Sequence, residues 1–199
     1  MNSCVFDIET TSLGAVGAGI LLAVCVRPTA TQRTRSFRLD QYDFKASKEY
    51  GIVEREEKAL LTDVMDELDK YDVLIGHNVI RYDIPYLKSR AFQRDMETKP
   101  VVVYDTLTAF RRTGYLTIPN GFGKPSGGLA MVADFLHVKQ LKTSIFPHDW
   151  WETIWAKEAK RKESMDEIVD HCSRDVRLNA NVFRYLWNAD PRPALKKIY

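Results

Sequence analysis

Asp7 and Glu9 are the residues whose types and spacing point most directly to chemistry. They stand two positions apart in the bulky stretch from Cys4 to Glu9, whose composition predicts a β-strand. Side chains at positions i and i+2 of a strand point to the same face, so the two carboxylates project together. Two like charges side by side on a largely apolar strand are costly unless a cation binds them. The pair therefore predicts a metal site, with a solvated strand end as the alternative.

Two further acids lie far along the chain from this strand, and the fold could bring them beside it. Asp83 follows a short apolar run that ends at Gly76, and it immediately precedes a predicted helix. By itself it would be a helix N-cap. Asp175 lies four residues after His171 on the predicted helix 165–186, so these two side chains share one face. In isolation, an exposed His–Asp pair on a helix is the simpler interpretation.

The elements that position these acids follow an order typical of an α/β protein. Apolar periodicity predicts strands over 4–9, 20–26, 31–39, 73–76 and 101–104, and helices over 54–71, 84–92, 106–112, 129–136, 149–162 and 165–186. Short connections favour an antiparallel arrangement of the first three strands, whereas the apolar runs that alternate with helices favour parallel strands. We expect a mixed five-stranded sheet, antiparallel at one edge and parallel at the other, flanked by helices. The glycine-rich segment 116–128 is predicted to be a loop.

Three segments carry the four acids in chain order. They are Phe6 to Leu13, with Asp7-Ile8-Glu9; Gly76 to Leu87, with Asn78, Tyr82 and Asp83; and His171 to Asp175. In this order they resemble the motifs of the DEDD superfamily of 3′→5′ exonucleases, which share a ribonuclease H-like fold. The second segment is similar to the form found in proofreading exonuclease domains of family-B DNA polymerases. The resemblance covers roughly residues 4–186 and implies a single exonuclease domain over 1–199.

The resemblance implies a two-metal-ion enzyme that removes nucleoside 5′-monophosphates from the 3′ end of a single strand. The two divalent cations would be Mg²⁺ or Mn²⁺, which oxygen ligands favour. The implied metal ligands, which are also catalytic residues, are Asp7, Glu9, Asp83 and Asp175. His171 occupies the position of a tyrosine in the branch with this spacing, and histidine occurs one residue earlier in the other branch. It would therefore deprotonate or orient the attacking water, and the choice between these roles stays open.

Substrate contacts follow from the same resemblance. The implied substrate-binding residues are Thr10, Leu13, Asn78 and Tyr82. Leu13 would lie against the last base, although a leucine at a strand end is equally often a core residue. Trp150, Trp151 and Trp155 have helical spacing and could stack on bases, but core packing is the preferred interpretation.

Three classes of function remain open from the sequence. DNA is the preferred substrate because the second and third segments resemble DNA-polymerase domains, and a 3′→5′ exoribonuclease is the nearest alternative. A catalytically weak nucleic-acid-binding module of the same fold is the second class, and an endonuclease is the third. No polymerase domain fits in the remaining residues, so a polymerase or a replication or repair partner would act in trans.

Composition limits the cellular environment in which the protein is expected but does not indicate its function. The 199 residues carry 29 basic and 27 acidic side chains, a formal charge of +2, so a nucleic-acid partner cannot be inferred from net charge. Three widely spaced cysteines predict neither a disulfide framework nor a zinc site. The apolar stretch from Leu13 to Val26 is too short to span a bilayer. We expect a soluble, intracellular and cytoplasmic protein without a membrane segment.

Overall fold

A mixed sheet of six strands organises the described part of the chain. The computed structural model describes residues 1–15, 19–42, 50–113, 127–139, 147–189 and 195–199, without the side chains of 50–55 and 147–149. Its strands are β1 (Ser3–Thr10), β2 (Leu21–Pro28), β3 (Arg35–Arg38), β4 (Val73–Gly76), β5 (Val101–Asp105) and β6 (Lys196–Ile198). Its helices are a 3₁₀ turn (Leu39–Gln41), α1 (Tyr50–Leu68), α2 (Asp83–Gln93), α3 (Thr106–Arg112), α4 (Leu129–Phe135), α5 (Pro147–Trp155) and α6 (Glu158–Ala189).

The strand order in the sheet is β3-β2-β1-β4-β5-β6. Strands β1, β2 and β3 are antiparallel, and β4 and β5 are parallel to β1, as the sequence predicts. The expected count of five strands is wrong, because β6 adds to the far edge, antiparallel to β5. This strand has only three residues and two of them are lysines, so it carries neither the length nor the alternation that signals a strand.

The boundary between the last two helices also differs from the expectation. The sequence predicts helices over 149–162 and 165–186, whereas α5 ends at Trp155 and α6 begins at Glu158. The charged run 157–162 therefore belongs mainly to the long helix rather than to the tryptophan-rich one. Glu158 in the first turn of α6 suits the positive end of the helix dipole. The predicted loop 116–128 lies outside the described residues except for Gly127 and Gly128.

Each face of the sheet buries its own apolar cluster. On β1, Val5 packs into the cluster that contains α6, while Phe6 and Ile8 pack into the cluster that contains α1 and α2. Asp7 therefore projects on the α6 face, because alternate residues of a strand share a face. Long helix α6 crosses β1 and β2 and buries Cys172 and Val176 against them. This packing sets the last sequence motif against the first.

Two further observations bear on the expected setting. Cys4, Cys25 and Cys172 are all buried and none forms a disulfide. Among the helices in the described part of the chain, none is both long enough and apolar enough to cross a bilayer.

A buried ion pair fixes the turn that follows β1. The Glu57 carboxylate is fully buried and accepts hydrogen bonds from the Arg90 guanidinium, from Arg94 and from the main-chain N–H of Leu21. Arg90 also donates to the main-chain oxygen of Ala15, 3.1 Å away. The pair therefore joins α1 and α2 to the connection between β1 and β2, at Ala15, and to the first residue of β2, Leu21.

Replacing Arg90 by methionine should destabilise the fold strongly. The substitution leaves the buried Glu57 carboxylate without its main counter-charge, and breaking such a pair costs about 3–5 kcal/mol. Urea unfolding measures the change in the free energy of unfolding. The matched control is Lys99→Gln, which removes a cation paired with Asp69 at the surface and should move the midpoint far less. Equal midpoints for the two variants would contradict the structural role given to Arg90.

Candidate active site

Asp7 and Glu9 begin the site on β1. Glu9 is 8% exposed, Asp7 is partly buried, and a ligand atom of each lies within 4.8 Å of the other residue's. The register with β2 shifts between Glu9 and Thr10, so β1 leaves regular pairing immediately after the second acid. The solvated strand end is therefore not what the structure contains, because both acids lie against α6 and Glu9 also lines a cleft.

Asp83 reaches the same place from the loop between β4 and α2. It is 3% exposed and is the first residue of α2 rather than its N-cap, which is Tyr82. The main-chain N–H of Ile8 donates to the Asp83 carboxylate. Because β4 pairs with β1 only as far as Val5, the edge of β1 that faces β4 has no strand partner at Ile8. The second motif is thus hydrogen-bonded to the backbone between the two acids of the first.

His171 and Asp175 complete the cluster from α6. The Nε2 atom of His171 lies 3.7 Å from Oδ2 of Asp175 and 3.9 Å from Oε1 of Glu9. Both distances are within ion-pair range and longer than a good hydrogen bond, and they set the imidazole between the two carboxylates. The imidazole is only slightly exposed, which sets it inside the cluster rather than on the exposed helix face of the simpler interpretation.

Burial and mutual repulsion raise the pKa values of the clustered acids. Burial is the main cause for Asp7, and the charges of Asp83, Glu9 and Asp175 raise its pKa further. Burial raises the pKa of Glu9 to about 8 and that of Asp83 to about 7. Carboxylates with pKa values near neutrality hold protons that a cation can displace. Four carboxyl groups in mutual electrostatic contact could therefore hold hard divalent cations.

Cys172 lies near Asp7 and Glu9 but is a poor candidate for a ligand. Its Sγ atom is 3.4 Å from the main-chain oxygen of Asp7, to which the thiol donates. Burial and the neighbouring groups raise the pKa of the thiol well above its ordinary value. A metal ligand must be the thiolate, so this protonated side chain packs and does not coordinate.

A cleft of about 410 Å³ opens beside the acids. The end of β1 and the turn after it form most of its lining, and the β4–α2 loop and α5 contribute one residue each. The lining residues are Ile8, Glu9, Thr10, Thr11, Ser12, Leu13, Tyr82 and Trp150. Leu13 is 85% exposed, which excludes the alternative that it is a core residue. Three of the four predicted substrate contacts line this cleft, and Asn78 does not.

Hydrogen bonds give the cleft a defined wall. Thr10 donates from Oγ1 to the main-chain oxygen of Ser12 at 2.9 Å. Its single proton is then used, so the Tyr82 hydroxyl, 2.7 Å away, donates to Thr10. Tyr82 thereby connects the turn after β1 to the loop that carries Asp83.

Asn78 has a backbone role in the structure. It adopts a left-handed φ of 61°, and its main-chain N–H donates to Oδ1 of Asp105 at 3.2 Å. Oδ2 of Asp105 accepts from the main-chain N–H of Ile80 at 3.1 Å. Asparagine tolerates the left-handed region better than most residues, so its type suits the turn.

A second hydrogen-bond network, centred on His77, supports the loop between β4 and α2. His77 contacts Thr106 Oγ1 through Nδ1 at 3.0 Å and the main-chain oxygen of Gly127 through Nε2 at 2.7 Å. Thr106 also contacts Oδ1 of the buried Asn179 on α6, at 2.8 Å. His77 thus serves the loop as a supporting residue, in line with its place next to the motif.

Trp150 is the functional residue that sequence reasoning undervalued. Its indole N–H donates to Oε2 of Glu9 at 3.1 Å, and its ring lines the cleft. Core packing, the preferred interpretation for the three tryptophans, is wrong for Trp151 and Trp155, which are 37% and 53% exposed. No spacing signal relates a helix residue to an acid 141 positions earlier, so only the fold reveals this contact.

Comparisons with known proteins agree with this architecture. A family model of the RNase H superfamily matches residues 4–187. The family B DNA polymerase from the hyperthermophilic archaeon Pyrobaculum calidifontis is similar in structure, with a TM-score of 0.56 and 19% sequence identity. The similarity covers 92% of this chain and 24% of the polymerase chain, so this chain spans about a quarter of that protein, and the likeness concerns the fold. A search among curated proteins finds no match. Fold and family together support nuclease activity in general.

The acidic cluster should make the stability of the metal-free protein depend on pH. The pKa values of Glu9 and Asp83 are raised in the folded state, so this state binds more protons than the unfolded chain does. Their contribution to the free energy of unfolding therefore falls as pH rises from about 4 to about 8. Thermal melting with EDTA should show this fall, which Mg²⁺ should reverse at the upper end of the range.

The Asp83→Asn variant isolates this effect, since it removes one of the raised groups. Its melting temperature with EDTA should exceed that of the wild type near pH 8 and approach it at low pH. A wild-type melting temperature that rises relative to the variant between pH 5 and pH 8 would contradict the electrostatic description.

Replacing Trp150 by phenylalanine should shift the pH midpoint of metal binding to a higher pH. The indole N–H lowers the pKa of Glu9, because it stabilises the ionised carboxylate, so its removal raises that pKa. Titration with Mn²⁺ at several pH values measures the midpoint. Trp155→Phe, at an exposed position, is the control and should leave the midpoint unchanged.

Proposed function

We propose that this chain, which belongs to the RNase H superfamily, is a metal-dependent 3′→5′ exonuclease acting on single-stranded nucleic acid. DNA is the preferred substrate and nucleoside 5′-monophosphates are the products. The single observation that carries the proposal is the convergence of Asp7, Glu9, Asp83 and Asp175 beside a cleft of nucleotide size. The acids come from a strand, a loop–helix junction and a late helix, as the three DEDD-like motifs imply.

The donor set fits a pair of hard divalent cations. All four side chains offer carboxylate oxygens, which suit Mg²⁺ or Mn²⁺ and do not favour zinc. Asp7 and Glu9 each lie in electrostatic contact with the other three acids, and the motif resemblance implies that Asp7 would be a ligand of both ions. We assign Glu9 and Asp175 to one ion with Asp7, and Asp83 to the other. When bound, such ions lower the pKa of water and neutralise charge on the phosphate and the leaving oxygen.

His171 is suited to act on the proton of the attacking water. Its Nε2 atom faces Glu9 and Asp175, the two acids assigned to one ion. A neutral imidazole can accept a proton, whereas a tyrosine at this position would donate a hydrogen bond. The ring lies between these two carboxylates, so a water that they hold would be near its Nε2 atom.

The cleft fits the terminal nucleotide of a strand. Leu13 presents an exposed apolar side chain at its rim, and Trp150 presents an aromatic ring opposite the turn after β1. Apolar and aromatic surfaces bind bases by stacking without reading their sequence. A paired base would have to leave its partner to enter, which favours single strands. A polymerase or a replication or repair protein would supply such ends in trans.

Alanine or asparagine at Asp7 should abolish hydrolysis while the fold persists. The assay uses 5′-labelled single strands of DNA and RNA, with Mg²⁺, Mn²⁺ or EDTA, and it resolves the product ladder. We expect metal-dependent shortening from the 3′ end, faster on DNA, and none with Asp7→Asn. His171→Ala should lower kcat by about 10²–10⁴, the usual contribution of a general base.

Controls separate this activity from its alternatives. Asp72→Asn removes an acid outside the cluster, and the cleavage rate should be unchanged. Cleavage of a circular strand would indicate an endonuclease. Binding of the strand without turnover in any metal would indicate a binding module, and either result would overturn the proposal.

A further inference from the structure

A second cavity lies at the opposite end of β1 from the cleft. Its volume is about 110 Å³. Three parts of the fold bound it: the start of β1, the start of the turn after β2, and the C-terminal half of α6. The lining residues are Val5, Arg27, Pro28, Thr29, Gln32, Ala180, Phe183 and Arg184. Two arginines from separate elements thus meet at one small cavity, and the proposed exonuclease site uses neither.

A third arginine adds to this positive charge. Arg177 and Arg184 stand seven residues apart on α6, which brings both to one side of the helix. Arg27 is partly buried, and burial followed by the charges of Arg177 and Arg184 lowers its pKa. The three guanidinium groups therefore repel one another in the absence of an anion.

No carboxylate among the described residues compensates these charges. Arg27 donates to the Thr34 hydroxyl, Arg177 to the main-chain oxygen of Ser173, and Arg184 to the Asn181 side chain. Each of these partners is neutral. The nearby arginines of β3 differ, because Arg35 pairs with Glu67 and Arg38 pairs with Asp40 and Asp166. Paired arginines stabilise a fold, whereas a cluster whose partners are all neutral favours an external anion.

The chemistry of the cluster suits a phosphate group. Guanidinium groups bind phosphate oxygens through paired N–H donors, and they stay charged even when partly desolvated. The Gln32 side chain at the cavity could supply a neutral donor, whereas the Thr29 hydroxyl already donates to the main-chain oxygen of Ser3. The cavity is too small for a base with its sugar, so the group that enters is the anion alone.

The position of the cluster relates it to the proposed substrate. Arg27 pairs in register with Val5, which is two residues before Asp7 on the same face of the sheet. Helix α6 carries both Asp175 and Arg184, and nine residues of helix span about 14 Å. A strand whose 3′ end is held at the acids could therefore place a phosphate of its 5′ part at the cavity.

We propose that Arg27, Arg177 and Arg184 form a second phosphate-binding site, which holds a backbone phosphate of the nucleic acid away from the bond that is cut. The inference rests on the proposed function for the identity of the substrate. A free phosphate ion or a mononucleotide has the same chemistry, and the experiment separates these sources.

The test measures binding without turnover. Fluorescence anisotropy follows a labelled single strand of about 16 nucleotides, the upper site size of known single-strand-binding folds, with EDTA present to stop hydrolysis. The Arg27→Gln/Arg184→Gln double variant should bind about tenfold more weakly, and the slope of its salt dependence should fall by about 0.7 for each phosphate that the variant no longer neutralises. Lys58→Gln removes an exposed positive charge on α1 and should change neither quantity.

Substrate length provides a second readout. For the active protein, the double variant should raise KM for the long strand and leave kcat and the KM of a dinucleotide unchanged, because a dinucleotide cannot reach the cavity. Equal losses for both lengths would mean that the variant perturbs the acidic site, and would overturn the inference. Circular dichroism of the variants checks that they fold as the wild type does.

The outcomes distinguish this inference from the proposed function. Strand binding that depends on the arginines would support the inference even if no metal produced cleavage. Cleavage with unchanged strand affinity in the double variant would overturn the inference and leave the exonuclease proposal standing. Stabilisation of the wild type by inorganic phosphate or a mononucleotide, absent in the variant while strand affinity is unchanged, would assign the cavity to a free anion and overturn the nucleic-acid assignment.

Discussion

The burial of four clustered carboxyl groups, which like charge opposes further, is the constraint on which the rest of this structure depends. Desolvation and like charge oppose ionisation at Asp7, Glu9 and Asp83, so each pKa lies above its ordinary value. A protein keeps such a cluster at a cost in stability, which bound cations can offset. The fold must therefore hold the acids together against their repulsion. In the described part of the chain, backbone hydrogen bonds and packing serve this purpose.

Several supports share this task. The N–H of Ile8 binds Asp83, and buried Asp105 binds the main chain of the loop that carries it. Packing of α6 across β1 and β2 sets Asp175 and His171 in place. The buried Glu57–Arg90 pair fixes the turn that bears the wall of the cleft. Rigid placement matters because a two-metal site tolerates little change in the separation of its ligands.

The sequence predicted most of the strands and the convergence of its three acidic motifs, because local alternation and motif spacing carry that information. It did not predict β6, which is too short for a periodic signal and forms only by pairing with β5. It placed the boundary before α6 wrongly, since helix periodicity continues through the break near Lys157. The sequence also did not predict the hydrogen bond from Trp150 to Glu9 or the arginine cluster around Arg27, because each joins residues more than 100 positions apart. Contacts of that kind follow from tertiary packing and leave no mark on neighbouring residues.

The most direct test of this account counts the cations that the acids hold. Electron paramagnetic resonance of free Mn²⁺ gives the number bound per chain as the protein is titrated. A two-metal site at these acids predicts about two ions for the wild type, a loss of both in Asp7→Asn, whose carboxylate is shared, and a loss of one in Asp83→Asn. A wild-type chain that binds no Mn²⁺, or an Asp7→Asn chain that binds as many ions as the wild type, would contradict it.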